Sequence, residues 1–196
     1  MAAGLPCSVV NAMNKTFWSR AYLFIPLALL LGLTWFLWRG LSIDPHNLPS
    51  ALLNQPLPKF NNAILESPQH FLSSADIKGE VGVLHVWATW CQTCLMEHPV
   101  WMELSRQQPV LIYSVDYRDD AVTARKWLKQ QGDPYVATLM DPYGQLSIDL
   151  GVTGTPETYI FDKKGIVRYK WLGPMTLSVW QTKIMPILTQ LSAEII

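Results

Sequence analysis

Val81-Gly-Val-Leu-His-Val-Trp-Ala-Thr-Trp-Cys-Gln-Thr-Cys94 decides the fold. Its first half, Val81 to Trp87, is short and almost wholly apolar, the pattern of a strand buried on both faces of a parallel sheet. Its second half places Cys91-Gln-Thr-Cys94 where that strand ends and a helix opens. A helix N-terminus offers unpaired N–H groups and partial positive charge, both of which stabilise a thiolate. The thiolate is the reactive form of cysteine. Cys91 is therefore the candidate nucleophile. Cys94, one turn on, is placed to displace a partner from it.

Strand and helix alternate outward from this stretch. Leu95 to Gln108 fits a helix interrupted by Pro99, and Val110 to Val115 is a second buried strand. Asp119 or Asp120 can cap a helix from Ala121 to Gln131 that ends at Gly132. Gly144 to Leu150 suits a short helix. Thr158–Phe161 and Ile166–Trp171 flank Asp162-Lys-Lys-Gly165 as a hairpin. Leu177 to Leu191 reads as a terminal helix containing Pro186. The sum is βαβ followed by ββα, an α/β fold with helices on a mixed sheet. A C-x-x-C beside a βαβ unit reads as a thioredoxin-like redox motif.

The chain has 196 residues, 49% hydrophobic and only 15% charged, against roughly 25% charged in an average soluble domain. That excludes intrinsic disorder. A net charge of zero argues against a nucleic-acid partner. The charge is uneven: Lys15, Arg20 and Arg39 precede the first acidic residue, Asp44. Between them, the 18 residues Ala21–Trp38 carry no charge. As a helix they would span about 27 Å, close to a hydrocarbon core of about 30 Å. A cleaved secretory signal would be shorter and end in a small-x-small site; a buried core helix is the other alternative. The expected organisation is a cytoplasmic segment (1–20), a transmembrane anchor (21–38), a linker with Pro45, Pro49 and Pro56 (39–56), and an α/β domain (57–196). The positive-inside bias puts that domain on the extracytoplasmic side.

Other uses of the cysteines are weaker. A structural zinc site wants four ligands, and no second cysteine pair follows. Covalent haem attachment needs C-x-x-C-H, and residue 95 is Leu. An inert structural disulfide is the third alternative. Cys7 has no partner in the sequence and reads as a free thiol. His98 reads as structural, and Asp141-Pro-Tyr-Gly144 as a turn.

Val86-Trp-Ala-Thr-Trp-Cys-Gln-Thr-Cys94 with Glu97-His98-Pro99 resembles the DsbE/CcmG family, the membrane-anchored thioredoxin-like thiol:disulfide interchange proteins of cytochrome c maturation. The resemblance runs from about Leu57 to the end. Leu57-Pro-Lys-Phe60 resembles the family's domain entry, and Asp116-Tyr-Arg-Asp-Asp120 its strand-end acidic segment. Gly151-Val-Thr-Gly-Thr-Pro-Glu-Thr-Tyr159 resembles its cis-proline loop. Two positions depart from the pattern. Gln92 stands where the family usually has Pro and keeps an N–H that proline lacks. Thr153 stands where an aromatic is frequent.

The resemblance implies a thioredoxin-like fold and reduction of apocytochrome c cysteines at the periplasmic face of a bacterial inner membrane. It implies a membrane thiol reductase as electron donor, apocytochrome c or a thiol partner of the haem-attachment machinery as substrate, and no cofactor. Pro156 would be the cis-proline facing the cysteines. Glu97 and Glu157 would be functional carboxylates near the sulfurs, disfavouring the thiolate and making the pair more reducing. Trp90 would be core packing or part of a docking surface. The alternatives are an anchored reductase for copper-site assembly or general periplasmic thiols, and a non-enzymatic docking module with a static disulfide.

Overall fold

The computed structural model describes residues 24–41, 52–107 and 110–194. The expected segment 1–20, Cys7, and most of the 39–56 linker lie outside the described residues. The chain divides into two units between Pro45 and His46. In the first, helix α1 (Ile25–Leu41) has 17 residues and runs past Trp38, where the expected anchor ends. Its apolar side chains, Leu29, Phe36 and Trp38 among them, are exposed. The Thr34 hydroxyl donates to the Leu30 carbonyl, so the helix satisfies its own polar side chain. Among the described residues no helix is long and apolar enough to cross a membrane.

In the second unit, β1 (Asn61–Ala63) and β2 (Phe71–Ser73) form a small antiparallel pair. The chain then runs β3 (Gly82–Trp87), α2 (Gln92–Gln107), β4 (Leu111–Tyr117), α3 (Ala121–Gln131), β5 (Ala137–Asp141), α4 (Gln145–Asp149), β6 (Glu157–Phe161) and β7 (Val167–Leu172). The five-stranded sheet has the order β5-β4-β3-β6-β7. Strands β3, β4 and β5 are parallel; β6 and β7 are antiparallel to their neighbours. This is the mixed sheet of a thioredoxin-like α/β fold.

Three features differ from the sequence reading. Strand β5 was not expected. Ala-Thr-Leu-Met-Asp has no strict alternation, and Ala and Asp are poor strand formers. It pairs because β4 offers an open edge, and a second crossover through α3 reaches it. Both crossovers step the same way, so right-handedness puts α2 and α3 on one face. The Ile64–Leu139 bridge then covers part of the new edge.

Helix α2 starts three residues earlier than expected, at Gln92, and Pro99 does not interrupt it. The proline deprives only the carbonyl of Leu95, which lies on the exposed side. Burial of Glu97, His98, Trp101 and Leu104 holds the rest of the helix to the sheet.

The terminal helix is not uniform. It begins as α5 (Leu177–Val179), widens into a π-turn at Trp180–Ile184, and continues as α6 (Met185–Ala193). The π-turn brings Pro186 into the first turn of α6, where a missing N–H costs little.

The sheet separates two cores. On one face Leu84, Val86, Tyr113, Val115, Leu139, Tyr159 and Phe161 pack with Leu146 and Leu150 of the α4 region. On the other, Val83, Ile112 and Ile160 meet Trp101, Leu104, Trp180, Ile184 and Leu188. Trp101 and Trp180 are fully buried and meet edge to face with centroids 6.1 Å apart. Truncating either to alanine is expected to cost about 3–5 kcal/mol.

Candidate active site

The cysteine pair sits at the mouth of the second face. Trp87 and Ala88 are buried with Cys91, Cys94, Ala124, Leu128 and Leu65. The turn out of β3 is held from a neighbouring loop: Thr89 N–H donates to Asp119 Oδ2 at 2.6 Å. Asp120 caps α3, accepting from the N–H groups of Val122 and Thr123. The two aspartates thus divide the work of one loop, with Asp120 as the cap.

Cys91 and Cys94 are disulfide-bonded, with Cα atoms 5.2 Å apart. Cys91 immediately precedes α2, and the Cys94 N–H lies 3.1 Å from Cys91 Sγ. A first-turn N–H therefore points at the sulfur expected to react, the arrangement that stabilises a thiolate. Trp90 is 58% exposed, so its ring is not core packing. Its indole N–H donates to the Arg118 carbonyl at 3.3 Å, and its ring lies 6.1 Å from Tyr117.

The Thr155–Pro156 bond is cis, and Pro156 is buried. Val86 pairs with Glu157 across β3 and β6. The loop that ends in Pro156 therefore stands at the same end of the sheet as the cysteine turn.

Glu157 is 1% exposed. Its Oε1 accepts from the Thr153 N–H (2.8 Å), the Thr153 hydroxyl (2.5 Å) and the Gly154 N–H (3.3 Å). Its Oε2 lies 2.8 Å from the Tyr159 hydroxyl and 3.0 Å from Lys170 Nζ. The carboxylate thus ties the proline loop to β6 and β7. An aromatic residue at position 153 could not supply that hydroxyl contact. Burial, then the Glu157 charge, pushes the Tyr159 phenol well above its ordinary pKa.

Glu97 is 3% exposed and faces the sheet. Its Oε1 lies 2.7 Å from His85 Nε2 and accepts from the Trp101 indole N–H at 3.1 Å; its Oε2 accepts from the Met175 N–H. His85 Nδ1 is 3.0 Å from the Tyr135 hydroxyl. Both glutamates are therefore buried and partnered, and neither is a solvated surface carboxylate. His98 packs edge-on against Trp127, its Nε2 3.0 Å from the Gly132 carbonyl oxygen. Burial lowers its pKa. Asp141 accepts from the N–H groups of Leu146 and Ser147, which makes the Asp141–Gly144 turn a helix start.

Three polar residues on the cysteine face escaped the sequence reading: His85, Tyr135 and Asp116. Read along the chain, His85 is one polar residue in an apolar run and Asp116 the start of an acidic segment. The signal for Asp116 is alternation in β4. Ile112, Ser114 and Asp116 share one face, and Asp116 is paired with Trp87 in register. It is 0% exposed. Burial, then repulsion from Asp119, Asp120 and Asp141, pushes its carboxyl up to about 8. Among the described residues, no group of three His, Cys, Asp or Glu side chains is placed to hold a metal ion.

A Redoxin family profile matches residues 52–184. The thiol:disulfide interchange protein DsbE of Pseudomonas aeruginosa is 44% identical over 177 residues, covering 89% of this chain and 97% of that protein. The chain belongs to the DsbE family of thiol:disulfide interchange proteins. The DsbE of Escherichia coli K12 is 41% identical over 182 residues, with 89% of this chain and 97% of that protein covered. The crystal structure of a DsbF homologue from Corynebacterium diphtheriae superposes with a TM-score of 0.61 at 20% identity, over 76% of this chain and 97% of that one, and shares the fold. As a DsbE-family member the chain is a thiol:disulfide oxidoreductase, which overturns the static-disulfide alternative.

Proposed function

We propose that this oxidoreductase is the extracytoplasmic reductant of apocytochrome c cysteines during cytochrome c maturation. Its catalytic residues are Cys91 and Cys94. The observation that carries the chemistry is the Cys94 N–H on Cys91 Sγ at the start of α2. In the dithiol form, the Cys91 thiolate attacks one sulfur of the substrate disulfide and the other substrate sulfur leaves as thiolate. Cys94 then loses its proton and attacks Cys91 Sγ, which releases the second substrate sulfur and restores the protein disulfide. Two electrons pass to the substrate, and a membrane thiol reductase returns them. Pro156, Glu157 and Trp90 border the turn where an extended cysteine-containing segment would lie. Glu97 supports the site from within the sheet face.

Identity of about 40% to DsbE proteins over nearly their whole length supports the cytochrome c role. The anchor is Ala21–Trp38, with residues 1–20 in the cytoplasm, 39–56 as linker and 57–196 in the periplasm. The uncharged run and the exposed apolar side chains of α1 support this placement in the inner membrane. Deleting the gene should lower holocytochrome c, and an added small thiol should restore it. Unchanged haem loading refutes the role and leaves copper-site assembly or general periplasmic thiols as the substrate class.

A further inference from the structure

A cleft of about 340 Å³ lies between α3 and the connection from β1 to β2. Leu65 and Glu66 line it from that connection, Arg125, Leu128 and Lys129 from α3, and Asp133 from the loop before β5. Neither cysteine lines it, nor does Trp90 or Pro156, so it is separate from the reaction site. Leu65 and Leu128 are buried and make an apolar floor. The wall is fastened to the sheet and to α3. The Leu65 N–H donates to the Thr138 carbonyl at 2.8 Å, and Arg125 Nη1 donates to the Leu65 carbonyl at 3.1 Å. A fixed cleft of this size, with an apolar floor and a few polar groups around it, has the build of a small-molecule site.

The rim carries two cations and two carboxylates that do not neutralise one another. Arg125 and Lys129 stand four residues apart, on one side of α3. Glu66 and Asp133 come from the two loops. The ion pairs among the described residues lie elsewhere, at His85–Glu97, Arg168–Asp162 and Lys170–Glu157. Arg125 spends one N–H on Leu65 and lies in the field of Asp120, which leaves it four donors. Lys129 has no polar partner among the described residues. Glu66 and Asp133 are exposed on one side, yet the cleft desolvates both carboxyls and raises their pKa. The Asp133 charge adds to the rise at Glu66. The carboxylates thus lack a cation, and the cations lack an anion.

We propose that this cleft binds a zwitterion with an apolar side chain, a free amino acid or a dipeptide of the leucine or methionine type. Its ammonium lies against Glu66 and Asp133, its carboxylate against Lys129 and Arg125, and its side chain on Leu65 and Leu128. A simple amine leaves the two cations without an anion and meets them as like charge. A simple carboxylate does the same with Glu66 and Asp133. Leu65 and Leu128 also belong to the cluster that buries both cysteines, so the occupant braces that cluster from outside the reaction site. The binding depends neither on the thiol:disulfide activity nor on its substrate.

The test is calorimetric titration of the full chain in mild detergent with L-leucine, leucyl-leucine, N-acetyl-leucine and leucinamide. The two zwitterions should bind saturably at one site, and the tighter of them shows whether a free amino acid or a dipeptide is the ligand. N-acetyl-leucine lacks the ammonium and leucinamide lacks the carboxylate. Each should bind at least about tenfold more weakly, the loss of one charge-assisted contact. Asp133→Asn keeps an acceptor for the Tyr135 N–H and should weaken the zwitterions and leucinamide but not N-acetyl-leucine. Lys129→Gln should weaken the zwitterions and N-acetyl-leucine but not leucinamide. Both substitutions sit at the exposed rim, so melting temperature and the cysteine equilibrium with a reference dithiol should match wild type. No saturable heat from either zwitterion up to about 10 mM overturns the proposal. So do capped ligands that bind as tightly as leucine, or variants that bind the zwitterions as wild type does.

Discussion

Replacing Glu157 by glutamine removes one charge from a carboxylate that holds five contacts while 1% exposed. The amide oxygen can still accept from Thr153 and Gly154. Its NH2 group then faces Lys170 Nζ, which needs an acceptor, while the Tyr159 hydroxyl can donate to the Leu150 carbonyl at 3.1 Å. Lys170 has a 6% exposed side chain and, among the described residues, keeps the Gly151 carbonyl at 2.8 Å as its acceptor. Breaking one side of a buried ion pair costs about 3–5 kcal/mol, because the remaining charge stays desolvated. Glu157→Gln should therefore lower unfolding free energy by about 3 kcal/mol, measured by urea titration of tryptophan fluorescence. Lys170→Met should cost a similar amount. The double variant should cost clearly less than the sum, with a coupling of about 2 kcal/mol, since each partner removes the other's penalty. The Tyr159 phenol should titrate at lower pH in Glu157→Gln, because the nearby charge helps to raise it. A coupling below about 0.5 kcal/mol would refute the ion pair as the fastening of this loop.

Cys94→Ser should accumulate mixed disulfides at Cys91 that thiol trapping and mass spectrometry can isolate, while Cys91→Ser should trap none; the reverse pattern refutes the assignment of roles. Asp116→Asn should stabilise the fold at alkaline pH and lose that advantage as pH falls. The native carboxyl is raised to about 8 from 3.8, so wild-type stability is full below the unfolded pKa and declines as pH rises through the native one. Melting temperatures measured from acid to alkaline pH check this, and a constant offset would contradict it. The full chain should stay in the membrane fraction after carbonate washing, and release of a shortened soluble form would mean that Ala21–Trp38 is cleaved.

The cysteine turn was legible because its signals are local. The seven-residue, valine-rich run from Val81 to Trp87 is too short for a buried helix and reads as a buried strand, and the cysteine pair follows where it ends. Asp120, Gly132 and the Asp162–Gly165 turn are likewise set by backbone geometry within a few residues. What stayed hidden depends on partners distant in the chain. Strand β5 exists because β4 presents an unpaired edge, not because Ala137–Asp141 favours extension. Pro99 survives inside α2 because five residues of that helix, Cys94, Glu97, His98, Trp101 and Leu104, are buried. Glu97 reaches Met175, 78 residues away, and Glu157 reaches Lys170 on the next strand. Read along the chain, both are charged residues near a motif. Asp116 shows the limit most clearly: its identity and strand alternation are in the sequence, but its lack of any partner is a property of everything packed around it. Local geometry thus determined where the redox pair stands, while burial and pairing across the sheet decided which carboxylates around it can carry charge.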